Sequence, residues 1–245
     1  SGFSMNGAEY IAGATVPGAA SDILLLCDHA SNAVPADIDL GIAERLLCLH
    51  IAWDIGAGAV TRALSVTLGA PALLGPVSRL VIDLHREPEH PGLIPLESDG
   101  HAIPGNAHAD RAARIARFHV PYHAAIAQQI SARPPALIVS VHSFTPCLEQ
   151  GGAPRPWEVG ILYNRDDRAA RIAIDWLRGE GIVTGDNEPY SGKLLNATLN
   201  RHAESHAIPY LAIEIRNDAI ADAAGVALWT ERLARLSRHV RARLD

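Results

Sequence analysis

The chain has 245 residues, 48% of them hydrophobic, and a formal net charge of −6. This length and composition suffice for a sizeable core and fit one domain. The mild negative charge provides no broad basic surface for nucleic acid, and no apolar run approaches the roughly 20 residues that cross a bilayer, so neither a nucleic-acid-binding protein nor a membrane protein is expected.

The N-terminus, the cysteines and the single methionine indicate the cellular location, the absence of a disulfide framework and the limits of the domain. The N-terminus lacks a basic segment followed by an apolar signal core, so a cytoplasmic location is predicted. Cys27, Cys48 and Cys147 form no CxxC pair, and no disulfide framework is expected. The only methionine is Met5, which suggests that residues 1–4 are an expression remnant and that the domain spans residues 5–245.

Short apolar runs alternate with longer helical stretches along the chain. This alternation predicts a single α/β domain with a mixed, mostly parallel sheet and helices on both faces. Residues 87–106 are rich in Pro, Gly and His and are predicted to form a long loop, which is more often functional than idle. The predicted strands are residues 23–27, 79–84, 136–142, 158–163 and 210–216, and the predicted helices are residues 54–69, 166–181 and 225–244.

Four of the predicted strands end in polar clusters. These are CDHASN (27–32), IDLHRE (82–87), VHSFTP (141–146) and IEIRND (213–218). Because ligands bind at the carboxyl ends of parallel strands, the four endings predict one shared pocket. In that pocket Asp28, His29 and Asn32 would face His142, Arg86 and Glu214.

Two strand-end histidines, His29 and His142, favour a metal, because neutral imidazole is a good zinc ligand. A catalytic zinc usually takes three protein ligands, and two candidates remain for the third. Asn32 has suitable spacing but offers only an amide, whereas Asp54 offers a carboxylate at the start of a predicted helix. Asp54 could instead cap that helix. Asp28 could orient His29.

Glu214 lies between two isoleucines in a predicted strand. Burial would raise its pKa toward the range of a general base. The alternative is an ion pair with Arg216, which alternation places on the same face of the strand. Arg86 is a candidate carboxylate clamp because a guanidinium forms a two-bonded fork with a carboxylate. The further histidines His85, His90, His101 and His108 are expected to be solvated.

These residues lie in a series of motifs that resembles the N-formylglutamate amidohydrolase family, which is related to zinc carboxypeptidases and aspartoacylases. The motifs span nearly the whole chain: CDHASNAVP, WDIGA, SRLVIDLHR, PYH, VHSFTP, RPWEVGILY, DNEPYSG and IEIRND. The resemblance implies a zinc-carboxypeptidase-like fold, of the phosphorylase/hydrolase type, and a Zn²⁺ cofactor. His29 and His142 match the family's two histidine ligands. Asn32 stands where the relatives have a glutamate ligand, so Asp54 is preferred as the third ligand.

The resemblance also implies roles for the remaining residues. Glu214, in EIR, matches the catalytic glutamate, and Arg79 corresponds to an arginine that polarises the scissile carbonyl. Arg86, in DLHR, matches the substrate-carboxylate clamp, with His85 replacing the usual asparagine. The other predicted substrate-binding residues are Asn187, Tyr190, Ser143 and Asn32.

The predicted function is therefore zinc-dependent hydrolysis of an N-formyl or short N-acyl acidic amino acid, such as N-formyl-L-glutamate, to formate and the free amino acid. One alternative is a zinc peptidase or deacylase that acts on another acidic N-acyl substrate. The other is a non-catalytic binding module of the same fold, which the asparagine at position 32 would favour. The predicted partner is a small molecule, and the sequence predicts no oligomeric state.

Overall fold

A mixed sheet forms the centre of the computed structural model, which describes residues 7–14 and 21–244. The predicted expression remnant, residues 1–4, lies outside the described residues. Within them the sheet has seven strands in the order β1-β3-β2-β6-β9-β7-β8, and β4 and β5 form a separate hairpin. The strands are β1 Glu9–Ile11, β2 Ile23–Cys27, β3 Ala72–Leu74, β4 Glu97–Ser98, β5 His101–Ala102, β6 Leu137–Phe144, β7 Val159–Leu162, β8 Thr184–Asp186 and β9 Tyr210–Arg216.

Helices cover both faces of this sheet. One face packs against α1, α4 and α6, and the other against α3, α5 and several long coil segments. The predicted α/β class with a mostly parallel mixed sheet is confirmed, since β3, β2, β6 and β9 are parallel neighbours. The helices are α1 Ala57–Leu68, α2 Arg111–Arg114, α3 Val120–Ala132, α4 Arg168–Gly179, α5 Ala197–His202 and α6 Ala223–Arg241, and a π-helical turn, Ile115–His119, joins α2 to α3.

Strand β2 shows why its sequence is continuously apolar. Successive side chains of a strand point to opposite faces of the sheet. Leu25 and Cys27 accordingly pack in the core beneath α1 and α6, whereas Leu24 and Leu26 pack in the core on the α3 side. Both faces of the strand are buried, as expected for a central parallel strand.

The prediction of a strand at residues 79–84 is wrong, because this segment is a buried coil. Its backbone groups are satisfied without a sheet partner: Asp83 N–H donates to the Leu93 carbonyl at 2.7 Å, and Val81 N–H donates to the Ser78 carbonyl at 2.9 Å. An apolar run indicates burial but not the partner of the backbone. The strand beside β2 is instead the three-residue β3, which is too short to stand out in the sequence.

Gly75, directly after β3, allows the chain to pass close to the site. A Cβ atom at this position would lie 2.0 Å from the backbone oxygen of Asp28. Only glycine fits such an approach. The coil that carries Arg79 and Asp83 can therefore begin immediately beside the end of β2.

The predicted loop at residues 87–106 is largely without regular structure, apart from the β4–β5 hairpin and the start of a 3₁₀ turn at Pro104–His108. The helical stretch from α2 to α3 escaped the sequence analysis. Along the described residues, none of the helices combines the length and apolarity needed to cross a membrane.

Candidate active site

The sheet topology brings the predicted strand endings to one edge. Strands β6 and β9 are parallel, and their register places His142 beside Glu214. Strand β2 runs parallel to β6 on its other side, and His29 follows the end of β2 by two residues. Three of the four predicted endings are thus true strand ends, and the fourth, residues 82–87, reaches the same place as coil.

A cavity of about 330 Å³ opens at this edge. Asn187 and Asn32 do not line it. The Asn187 side-chain oxygen accepts hydrogen bonds from the backbone of Tyr163 and Gly192, and the Asn32 amide donates to the Leu47 carbonyl at 2.7 Å. The predicted site residues that do line the cavity are His29, Asp54, Arg79, Arg86, His142, Ser143, Tyr190 and Glu214.

His29, Asp54 and His142 form a buried group whose ligand atoms all lie within 4.8 Å of one another. The two carboxylate oxygens of Asp54 lie 2.8 Å from His142 Nδ1 and 3.3 Å from His29 Nδ1. Gly56 is the N-cap residue of α1, so Asp54 is not its cap. His29 Nδ1 is buried and has no hydrogen-bond partner within the described residues. Buried polar atoms are usually paired, so this nitrogen fits the role of a metal ligand.

The far nitrogen of each histidine faces a buried carboxylate. His29 Nε2 lies 2.6 Å from Asp83 Oδ1, and His142 Nε2 lies 3.0 Å from Asp28 Oδ2. Burial alone would raise the pKa of Asp28, but hydrogen bonds from His142 and His85 hold it well below its usual range. An ionised carboxylate on Nε2 directs the lone pair of Nδ1 inward, as in the carboxylate–histidine–metal arrangement of zinc proteins.

Asp28, His85 and His142 form a second group of possible ligands. In this group the carboxylate is already satisfied, because Asp28 Oδ1 accepts hydrogen bonds from Tyr122 at 2.6 Å and Thr198 at 3.1 Å, while Oδ2 faces the two histidines. Asp28 therefore orients His142, a member of the first group, through a hydrogen bond. His85 was expected to be solvated, which is wrong, since its side chain is only 14% exposed.

The Glu214 carboxylate has a buried oxygen, Oε2, without a hydrogen-bond partner among the described residues. The alternative ion pair with Arg216 is absent, because the Arg216 guanidinium binds Asp218 at 2.8 Å. Burial raises the pKa of Glu214 to about 7, against the opposing effect of the nearby His142 charge. A carboxyl group with such a pKa can accept and return a proton near neutrality.

The two arginines of the cavity differ in their engagement. Arg79 donates to Asp83 at 2.9 Å and lies 3.6 Å from Asp54. The guanidinium of Arg86 approaches Asp83 only to 3.8 Å and makes no hydrogen bond within the described residues. Arg86 is thus available to an incoming anion, whereas Arg79 is held beside the metal-ligand group.

Ser143 and Tyr190 complete the inner wall. The Ser143 backbone N–H donates to Asp54 at 3.2 Å, and its hydroxyl donates to the Ile55 carbonyl at 2.8 Å. The Tyr190 hydroxyl accepts a hydrogen bond from Arg155 at 3.1 Å. The Ser143 hydroxyl is therefore committed to the backbone, and Tyr190 is held with its ring against the cavity.

One side of the cavity is lined by residues that the sequence analysis did not identify. Asp99, in the β4–β5 hairpin, accepts hydrogen bonds from His50 at 2.8 Å and from the backbone of Glu149 at 2.9 Å and Gln150 at 3.1 Å. One carboxylate thus joins three loops around the opening. No local sequence signal marks such a contact between distant loops.

Asp83 was also missed, although a signal was present. It lies between Ile82 and Leu84 in an apolar run, the same pattern that drew attention to Glu214. A carboxylate in such a run is costly to bury unless it is paired. Asp83 is paired with His29, Arg79 and, at longer range, Arg86.

Comparisons with known proteins identify a family model and related structures. The sequence model of N-formylglutamate amidohydrolase matches residues 21–221. A crystal structure of an Agrobacterium tumefaciens gene product is 33% identical, with a TM-score of 0.86 and 92% of each chain covered. The N-formylglutamate amidohydrolase of Ralstonia eutropha JMP134 is 20% identical, with a TM-score of 0.69 and 98% of each chain covered, and shares the fold. Among curated proteins no relative matches the chain.

Proposed function

Because the chain belongs to the N-formylglutamate amidohydrolase family, we propose that it is a zinc-dependent hydrolase of N-formyl or short N-acyl acidic amino acids, with N-formyl-L-glutamate as the leading substrate. Family membership supports amide hydrolysis in general. The choice of metal and substrate depends on the residues of the cavity.

One observation carries the proposal: a single cavity holds the His29–Asp54–His142 group, a glutamate whose Oε2 makes no hydrogen bond, and an arginine whose guanidinium is only 3.8 Å from Asp83 and makes no hydrogen bond among the described residues. Two imidazoles and one carboxylate are a ligand set used by catalytic zinc sites. The buried, unpartnered Nδ1 atom of His29 supports this fit. When bound there, zinc supplies Lewis-acid chemistry, which polarises an amide carbonyl and acidifies water.

The chain's own residues perform the proton transfers and hold the charges. Glu214 takes a proton from the attacking water and delivers it to the departing nitrogen. Arg79, fixed by Asp83 and Asp54, stabilises the negative charge that develops on the carbonyl oxygen. Asp28 and Asp83 keep the two histidines in the tautomer that presents Nδ1 to the cavity.

Arg86 selects the substrate. Its guanidinium, which contacts Asp83 only at 3.8 Å, can form the two-bonded fork with a carboxylate of an acidic amino acid. The loops joined by Asp99 border the cavity, whose volume of about 330 Å³ favours a small substrate over an extended peptide. These two features support an N-formyl acidic amino acid.

A formate-release assay across N-formyl amino acids, with zinc-loaded protein, tests the proposal. We expect N-formyl-L-glutamate or a close acidic relative to be hydrolysed fastest, and amidation of its carboxylate to reduce the rate steeply. Arg86→Lys should weaken hydrolysis because lysine cannot form the planar fork. Arg235→Lys, at an exposed pair with Glu180, is the matched control and should leave the rate unchanged.

The alternatives give different results in the same assay. Equal rates for acidic and neutral substrates would remove Arg86 from the clamp role. Cleavage of peptides without formate release would indicate the zinc peptidase. Failure to take up zinc at equilibrium, together with no hydrolysis, would indicate the binding module.

A further inference from the structure

The backbone of the coil that carries Asp83 and Arg86 is hydrogen-bonded to side chains of the helical segment at residues 104–123. Four consecutive attachments run along it, each from a buried side chain to a backbone carbonyl. They are Asn106 to Leu80 at 2.8 Å, Arg114 to Val81 at 2.9 Å, His123 to Leu84 at 2.9 Å and His119 to Arg86 at 2.8 Å.

Two of these attachments flank the functional side chains. His123 binds the carbonyl of the residue that follows Asp83, and the Asp83 carboxylate in turn binds His29. His119 binds the carbonyl of Arg86 itself. The Arg86 side chain has no hydrogen bond of its own within the described residues. Its placement therefore depends on its backbone.

His119 and His123 are one helical turn apart and share a face. A π-helical turn, Ile115–His119, ends at His119, and π-turns are frequent at functional sites. Both imidazoles are buried, and their rings lie 4.3 Å apart between centroids. Between them Tyr122 holds Asp28, so the PYH motif at residues 121–123 supports the site from one side.

Both histidines are donors toward the coil. Burial lowers the pKa of His119, and it lowers the pKa of His123 to about 3, so both rings are neutral at ordinary pH. Each Nε2–H then donates to its carbonyl, which leaves His123 Nδ1 to accept from His202 Nε2 at 2.9 Å. The pair His123–His202 thus fixes the tautomer of His123.

We propose that His119 and His123 are positioning residues that hold the Asp83–Arg86 coil so that Arg86 meets the substrate carboxylate. This inference rests on the proposed function, since it gives Arg86 its task. A side chain on a coil without sheet partners keeps one position only where its backbone is fixed. The two histidines provide that fixation nearest to Arg86.

The test compares His119→Leu, which removes the donor, with His119→Gln, whose terminal amide can replace Nε2–H. His108→Leu, at an exposed histidine, is the matched control. Hydrogen exchange reports on the coil, where the Asp83 and Arg86 amides are hydrogen-bonded to Leu93 and Asp83 carbonyls. In His119→Leu we expect faster exchange across residues 83–87, and a KM for N-formyl-L-glutamate raised roughly fivefold to tenfold with kcat nearly unchanged. His119→Gln should restore both.

Normal exchange in His119→Leu, or faster exchange with an unchanged KM, would overturn the positioning role. A purely structural role would lower thermal stability without a selective change in KM and without rescue by glutamine. Exchange needs no substrate, so a wild-type protein that hydrolyses nothing refutes the proposed function alone. If His119→Leu does not fold, His119→Asn replaces it, because the shorter amide cannot reach the Arg86 carbonyl.

Discussion

Single residues of the site show how carboxylates of one cluster take different tasks. Asp28 and Asp83 accept hydrogen bonds from histidines, and Asp83 is also attracted by nearby arginines. These interactions hold the pKa of each carboxyl well below its usual range despite burial. Glu214 receives no such partner on Oε2, and burial raises its pKa to about 7. Environment alone therefore separates the structural carboxylates from the proposed base.

Glu214→Gln tests the role of this side chain. Glutamine is nearly isosteric, so the fold and zinc content should persist, while turnover should fall by roughly 10²–10⁴-fold, as for a lost general base. The measurements are kcat, thermal midpoint and metal content of the purified variant. A variant that unfolds, or one that retains wild-type turnover per folded molecule, would contradict the base role.

The ligand assignment is tested by metal uptake. We expect about one zinc per chain, and His29→Ala, His142→Ala and Asp54→Ala should each abolish its uptake at equilibrium. Asn32→Ala is the matched control and should bind zinc normally, because its amide is turned to the Leu47 carbonyl. Equilibrium dialysis with elemental analysis gives the stoichiometry. Loss of zinc in Asn32→Ala alone would reverse the assignment.

Among the elements, the β4–β5 hairpin borders the cavity, which Ser98 and Asp99 line. Asp99 has a left-handed backbone (φ 45°), and its carboxylate joins the hairpin to two other loops. Asn tolerates this backbone well. Its side chain, however, replaces one of the two acceptor oxygens of Asp99 with an NH2 group, which can only donate. A variant at this position can therefore loosen the mouth without straining the turn.

We expect Asp99→Asn to increase the rate of N-acetyl-L-glutamate hydrolysis relative to N-formyl-L-glutamate, because released loops admit a larger acyl group. The ratio of kcat/KM for the two substrates is the measurement. Glu97→Gln, on the same hairpin but outside the Asp99 bonds, is the control. An unchanged ratio in Asp99→Asn would show that the rim does not select the acyl group.

For the whole molecule, the buried histidines make stability depend on pH. Burial lowers the pKa of His123 to about 3 and of His202 to about 4 in the folded protein, whereas an unfolded histidine titrates near about 6.5. The unfolded chain thus binds protons first as pH falls. The stabilisation from the neutral rings is fully present above the unfolded pKa and is lost as pH decreases toward the folded values.

We therefore expect the free energy of unfolding to fall between about pH 6.5 and pH 4, with each such histidine contributing up to about 1.4 kcal/mol per pH unit. Denaturant titrations across this range measure the slope. His202→Gln removes one titrating group and should make the decline shallower, whereas His108→Gln, at an exposed histidine, should not. Equal slopes in both variants would contradict the assignment.

The sequence by itself determined the fold class and most of the site, because both depend on short-range patterns. Continuously apolar runs predicted β2, β6, β7 and β9, and polar residues at the ends of β2, β6 and β9 predicted the cavity that His29, His142 and Glu214 line. The polar ending at residues 82–87 predicted Arg86, the family resemblance added Arg79, and both line the same cavity.

Only the tertiary structure decided which atoms meet. Asp54 lies beside His29 and His142, whereas Asn32 binds the Leu47 carbonyl. Residues 79–84 form a coil instead of the expected strand. Asp83, His85 and Asp99 lie at the site, and helix histidines hold the backbone of this coil. These contacts join residues far apart in the chain. Hydrogen bonds from side chains to the backbone of another segment leave no periodic pattern in either segment, so only folding reveals them.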